Sequence, residues 1–295
     1  MGDFVVPAAL ADSAAADDLP DRRNWIRELP GIVTELAQRW SLQLGEPFQP
    51  GGQCSWVAPT SDSQGRDLVL KVGWRHTEAV HEADALRVWD GRGAVIVHDA
   101  DTFDRTSALL LERCVPGVAL SLLATEHEQD LVLAELLPRL WQEPACGQPF
   151  RSLELMCAQW ADEFEEKRAV APDSIDPGLA RDGMELFRGL PATSDRRVLL
   201  CTDLHAENIL AAEREPWLAI DPKPYVGDPT YDALQHMLCC DARLFSDPVG
   251  MVRRLADLLH LERERLSLWL FARCVQESID RPALQQVAAR LAPAW

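Results

Sequence analysis

Asp203, Asn208 and Asp221 are the residues of this chain whose types and spacing could most readily do chemistry. Asp203 and Asn208 lie five positions apart on a short segment. Two apolar runs follow, residues 209–212 and 217–220, separated by the polar turn Glu213-Arg214-Glu215-Pro216. That order reads as a β-hairpin. A hairpin returns its second strand beside the start of its first, so Asp221 comes back near Asn208. Hard oxygen ligands gathered there suit Mg2+ held jointly with nucleotide phosphates. Asp203 is then left to orient an attacking hydroxyl and accept its proton. Any one of the three could instead be a turn residue bonding its own backbone. The whole pattern, D-x-H-x-x-N followed by strand, turn, strand and Asp, is too long to be dismissed that way.

The chain at this point resembles the aminoglycoside phosphotransferases, a family with a protein-kinase-like fold. Their pattern H-G-D-x-H-x-x-N-[IV]-L, followed by a strand-borne [IV]-D, matches from Asp203 to Leu210 and again at Ile220-Asp221. The segments AIDPKPYVGDPTYD (219–232) and FARCVQESID (271–280) look most like the streptomycin 6-phosphotransferase and hydroxyurea phosphotransferase branch. Two departures from the pattern involve three positions. Cys201-Thr202 replace His-Gly, which removes an imidazole that would brace the loop, and Pro224 replaces the Gly that usually follows D-P-K.

The resemblance implies an α+β, protein-kinase-like fold. Residues 1–113 would form a nucleotide-binding lobe, a five-stranded antiparallel sheet with one helix, preceded by an N-terminal arm. Residues 114–295 would form a larger, mostly helical lobe carrying the catalytic loop and the substrate site. It also implies ATP as phosphoryl donor, Mg2+ on Asn208 and Asp221, and Asp203 as the catalytic carboxylate, with His205 bracing the loop.

The elements that must position these residues follow from hydrophobic period. Residues 32–40 put Ile32, Leu36 and Trp40 on one helical face. Residues 48–59 and 67–73 read as strands around turns at 50–52 and 61–65, 78–89 as a helix, and 94–98 and 107–112 as two more strands. From Leu120 onward the pattern is almost wholly helical, with long segments at 128–141, 152–168 and 177–190. The first twenty residues, rich in Ala and Asp, read as a loose arm.

Lys71 lies in Leu68-Val69-Leu70-Lys71-Val72, on the face opposite Leu70 and Val72. In kinase-like folds a strand lysine paired with a helix glutamate holds the α- and β-phosphates of ATP. Glu82 fits that role through its resemblance to the family's E-x-x-x-L, and Glu78 remains the alternative. Gly51-Gly52 would let backbone amides approach phosphates, although the loop lacks G-x-G-x-x-G. Residues 109–114 resemble the hinge of the fold, where backbone groups from Glu112 to Cys114 would meet the adenine. On the substrate side, Glu277 and Gln276 are the candidates for a cationic acceptor, and the acidic helix at 160–166 is the second choice.

Composition narrows the function classes. A net charge of −18 argues against nucleic acid, whose binding rests on Lys and Arg neutralising phosphates, and favours a cationic small molecule. Eight cysteines without a C-x-x-C pair read as reduced thiols. The chain shows no basic n-region before an apolar run and no stretch long enough to span a bilayer, so a cytoplasmic monomer or weak dimer is expected. H-E-x-x-H, G-x-S-x-G and Walker motifs are absent, which argues against zinc hydrolases, α/β-hydrolases and P-loop enzymes. The expectation is an ATP-dependent O-phosphotransferase acting on streptomycin, another aminoglycoside or hydroxyurea. The alternatives are a kinase of another small metabolite and a kinase-like binding protein without turnover.

Overall fold

Alternating apolar residues build a sheet that ends in short polar turns. The computed structural model describes residues 4–17 and 20–293. The chain divides into two units, Met1–Gly117 and Val118–Trp295, each described by itself.

In the first unit, two helices, α1 (Ala8–Ala16) and α2 (Pro20–Arg39), precede strands β1 (Gln43–Leu44), β2 (Ser55–Ser61) and β3 (Asp67–Trp74). Helix α3 (Glu82–Trp89) follows, then β4 (Val97–Phe103) and β5 (Thr106–Glu112). The strands form one antiparallel five-stranded sheet in the order β1-β2-β3-β5-β4. Strand β3 alternates as expected: Leu68, Leu70 and Val72 are buried on one face and Lys71 stands on the other.

Four differences from the sequence reading have physical causes. The N-terminal residues are not a loose arm. Leu10 of α1 joins Trp25, Leu29, Val33 and Leu36 of α2 in a core with Trp56, Ala58, Leu70 and Val72 of the sheet. Residues 1–3 and 18–19 of that arm lie outside the described residues. The buried face of α2 centres on Val33 and Leu36, and Ile32 and Trp40 flank it half-buried. Of the expected 48–59 region, β2 takes only Ser55 onward: the chain doubles back before it, so that Phe48 N–H donates to the Val57 carbonyl at 2.9 Å. Strand β4 runs over 97–103, not 94–98. It is a polar edge strand, HDADTF after Val97, and an edge needs no apolar alternation.

In the second unit, α4 (Leu120–Leu123), α5 (Glu126–Leu140), α6 (Leu153–Val170) and α7 (Pro177–Gly189) lead to β6 (Val198–Leu200). The hairpin strands β7 (Ile209–Ala211) and β8 (Trp217–Ala219) follow, then β9 (Tyr225–Gly227), which pairs antiparallel with β6. Helices α8 (Leu234–Cys239), α9 (Asp241–Ser246), α10 (Pro248–Leu259), α11 (Arg263–Glu277) and α12 (Leu284–Leu291) complete it. Helix α5 starts on a capping box, in which the Thr125 and Glu128 side chains bond each other's backbone. Helices α7 and α11 pack so closely that a Cβ on Gly183 would meet Val275 side-chain atoms at 2.5 Å. Among the described residues no helix is long and apolar enough to cross a membrane.

Candidate active site

Strand β6 is fully buried and delivers the chain into a loop, residues 201–208, whose backbone is held from several sides. Thr202 takes a left-handed conformation, φ 50°. A single buried carboxylate supports that turn: Asp232, 0% exposed, accepts the N–H groups of Cys201 at 3.1 Å and Thr202 at 2.7 Å, and the indole N–H of Trp141 at 3.0 Å. Burial raises the Asp232 carboxyl to about 6 against those three donors. From the other side, Lys223 N–H donates to the Cys201 carbonyl at 2.9 Å and the Thr202 hydroxyl donates to the Lys223 carbonyl. The Cys201-Thr202 turn is thus held by backbone bonds to Asp232 and to residue 223.

This clamp sets Asp203. Its carbonyl accepts the Asn208 side-chain N–H at 3.0 Å, and its carboxylate Oδ2 contacts Lys223 Nζ. His205 Nε2 is 4.0 Å from Asp203 Oδ1, too long for a hydrogen bond. Burial keeps the His205 imidazole below its ordinary range despite Asp203, Glu207 and Asp221 nearby. The hydrogen bonds on the loop come from Asp232, Asn208 and Lys223.

The hairpin returns Asp221 beside Asn208. Ile209 faces Ala219 across β7 and β8, and Ile220 N–H donates to the Asn208 carbonyl at 2.9 Å. Asp221 has φ 52°, so the chain turns sharply where the carboxylate stands. With its amide nitrogen bound to the Asp203 carbonyl at 3.0 Å, the Asn208 side-chain oxygen is the atom that could meet a cation. Asn208 and Asp221 thus form an all-oxygen pair that fits a hard cation. Among the described residues there is no group of three or more His, Cys, Asp or Glu that could hold a metal.

In the first unit, Lys71 Nζ lies 2.7 and 2.8 Å from the two oxygens of Glu82, with both side chains largely buried. Glu78 falls in the turns before α3 (Ala79 N–H to His76 carbonyl, 3.1 Å), so the alternative partner is not on the helix. Gly51, φ 79°, is seated on Pro7: a Cβ there would come within 2.5 Å of the proline Cβ. Arg22, buried under the arm, donates to the Gln53 carbonyl at 2.5 Å and to Ser13 Oγ at 3.0 Å. The glycine loop, of which Gly52 is the exposed member, is thereby tied to α1 and α2. In the hinge segment, the Glu112 N–H is already bonded to the Ile96 carbonyl at 2.8 Å, and the Glu112 carboxylate accepts the Ile96 N–H at 3.0 Å. Cys114 follows half-buried.

Glu277 and Gln276 were expected to meet a cationic substrate, and both already meet arginines of the chain. Glu277 pairs with Arg273 at 2.6 Å and Arg281 at 3.2 Å, and Gln276 accepts from Arg273. Arg273 itself is buried over the Trp160 ring at 4.9 Å. This cluster ties α11 to α6 and engages the Glu277 carboxylate with two arginines of the chain. Lys223 and Asp232 were missed, although both lie inside the AIDPKPYVGDPTYD segment. Nothing in the local pattern shows that either one reaches back to the Asp203 loop.

Residues 39–281 match the family model described as aminoglycoside/hydroxyurea antibiotic resistance kinase. A streptomycin 6-kinase of Streptomyces glaucescens is 34% identical, covering 98% of this chain and 96% of the relative. A hydroxyurea phosphotransferase of Kitasatospora aureofaciens is also 34% identical, over 93% of this chain and 79% of its own length. Among solved structures, an amicoumacin kinase in complex with AMP-PNP, Ca2+ and Ami superposes at a TM-score of 0.58 with 12% identity, covering 93% of this chain and 98% of that one. That likeness supports the protein-kinase-like α+β fold. With the family match spanning most of the chain and full-length relatives at 34% identity, the chain belongs to the aminoglycoside/hydroxyurea antibiotic resistance kinase family.

Proposed function

We propose that this protein is an ATP-dependent O-phosphotransferase that modifies a hydroxyl of a small antibiotic-like molecule, streptomycin first and hydroxyurea second. The observation that carries it is the Asp203 loop: a carboxylate clamped by Asp232 and Lys223 backbone bonds, with Asn208 and Asp221 brought beside it by the hairpin. Asp203 orients the acceptor hydroxyl and takes its proton as the phosphoryl group transfers. Lys71, held by Glu82, binds the α- and β-phosphates. Asn208 and Asp221 would hold Mg2+, which when bound neutralises phosphate charge. Relatives named as streptomycin 6-kinase and hydroxyurea phosphotransferase at equal identity support both acceptors. Streptomycin is preferred because a chain of net charge −18 attracts a polycation.

The test is ADP release by the purified protein against streptomycin, other aminoglycosides, hydroxyurea, choline and simple sugars. Turnover with streptomycin or hydroxyurea is the expected result. Turnover confined to choline or a neutral sugar would replace this reading with a metabolite kinase.

A further inference from the structure

The whole chain contains three lysines and twenty-six arginines. Lys167 is exposed and pairs with Asp280 on the surface. Lys71 is the partner of Glu82. The third, Lys223, contacts the carboxylate of Asp203. In a chain that otherwise builds its cation contacts from arginine, two of three lysines stand where the phosphotransferase reading places phosphate chemistry.

We propose that Lys223 is a catalytic residue: its ammonium bridges Asp203 Oδ2 and an oxygen of the transferring phosphoryl group. The inference rests on the phosphotransferase reading above. Its physical basis is charge. The groups acting most strongly on His205, at the centre of the loop, are three carboxylates, Asp203, Glu207 and Asp221, and one cation, Lys223. An incoming phosphoryl group is anionic and must approach Asp203 across that field. A cation already held on Asp203 lowers the repulsion where the new bond forms. Lys223 is also placed firmly, since its backbone N–H bonds Cys201 and its carbonyl accepts from Thr202, while the side chain stays 27% exposed and reachable.

In the step, the acceptor oxygen bonds to the γ-phosphorus and the bridging oxygen bond to the β-phosphate breaks, its electron pair leaving with ADP. The hydroxyl proton passes to Asp203. Lys223 keeps its proton and its charge throughout.

The geometry also explains why lysine stands here. An ammonium is a compact charge with three rotatable donors, so it can hold one Asp203 oxygen and a phosphoryl oxygen together. A guanidinium forms a planar fork that takes both oxygens of a carboxylate. Arginine at 223 would cover Asp203 Oδ1, the oxygen that must meet the acceptor hydroxyl.

The experiment measures kcat and both KM values for the wild type, Lys223→Met, Lys223→Arg and the surface control Lys167→Met, with thermal melting of each. Lys223→Met should lower kcat at least about a hundredfold, with KM for ATP and acceptor within about threefold. Lys223→Arg should melt like the wild type and stay at least about tenfold slow in kcat. Lys167→Met should be unchanged. Wild-type kcat in Lys223→Met would overturn the proposal. So would full activity in Lys223→Arg, which also carries the test should the methionine variant fail to fold. A wild type that releases ADP with no acceptor would instead defeat the phosphotransferase reading, whatever Lys223 does.

Discussion

Two carboxylates of the helical unit meet cations in opposite ways. Asp130, on α5 and 0% exposed, has Arg243 at 3.0 and 2.8 Å, Arg254 Nε at 2.6 Å and His236 Nε2 at 2.9 Å. Burial alone would raise its pKa, but the bonds from His236, Arg243 and Arg254 outweigh burial and hold it far below the usual carboxylate range. Asp203, 15% exposed, meets one lysine on Oδ2, and among the described residues its Oδ1 has only His205 at 4.0 Å. Guanidinium forks saturate Asp130 and make it a strut joining α5 to α8, α9 and α10. The single ammonium on Asp203 leaves an oxygen that can exchange partners with a substrate. Saturation distinguishes a structural carboxylate from one able to react, and residue type alone does not.

The largest effect should come from Asp203. Asp203→Asn keeps the shape and the carbonyl bond from Asn208 but loses the proton acceptor. Turnover should fall by about two to four decades with nucleotide affinity within about threefold. Full kinase activity in that variant would erase the contrast between the two carboxylates.

Asp130→Ala should act on stability instead, unfolding the protein more easily by about 3–5 kcal/mol in chemical denaturation, because it leaves buried cations uncompensated. Acid should reproduce part of this. A carboxyl whose folded-state pKa lies below its unfolded value stabilises the fold fully above that unfolded value, about 4, and loses the contribution as pH falls below it. The wild-type melting temperature should therefore drop below about pH 4 and the gap to Asp130→Ala should narrow. A gap that stays constant down to pH 2 would mean Asp130 is not the strut described.

Lys71→Met removes the cation held by Glu82, and nucleotide affinity measured by calorimetry should weaken about tenfold, or roughly 1.4 kcal/mol. Unchanged affinity would take Lys71 out of the phosphate site. The smallest effect is expected at Glu277. With Arg273 and Arg281 already on its carboxylate, Glu277→Gln should change acceptor KM by less than about threefold. A tenfold rise at low salt would show that a cationic substrate displaces those arginines, making Glu277 a third kind of carboxylate.

Much of the site was legible because its parts are close in sequence. Asp203 and Asn208 share one loop, and Asp221 returns through a hairpin whose turn residues announce it. Strand alternation set Lys71 apart from Leu70 and Val72, and its pairing with Glu82 was legible only through the resemblance to the family's E-x-x-x-L. The N-terminal arm was not, because Ala-rich α1 has too few apolar side chains to advertise a buried face. Only the docking of Leu10 and Ala14 gives it one. The edge strand β4 was misplaced for the same kind of reason, since a polar sequence can be held in a sheet by ladder bonds from one neighbour.

The sequence by itself determined most of the elements and the chemistry on offer: a lysine strand, a carboxylate loop, a hairpin ending in Asp, and helices with a buried stripe. Those depend on local period and turn geometry, which act over a few residues. Tertiary structure decided which charges meet. Asp232 is thirty-one residues from Cys201 and Lys223 is twenty from Asp203, and Asp130 gathers arginines more than a hundred residues away. Pairings over such separations follow from the packing of whole helices and strands. The same packing occupied Glu277 with Arg273 and Arg281 and made Asp130 a strut, while leaving Asp203 an oxygen to use.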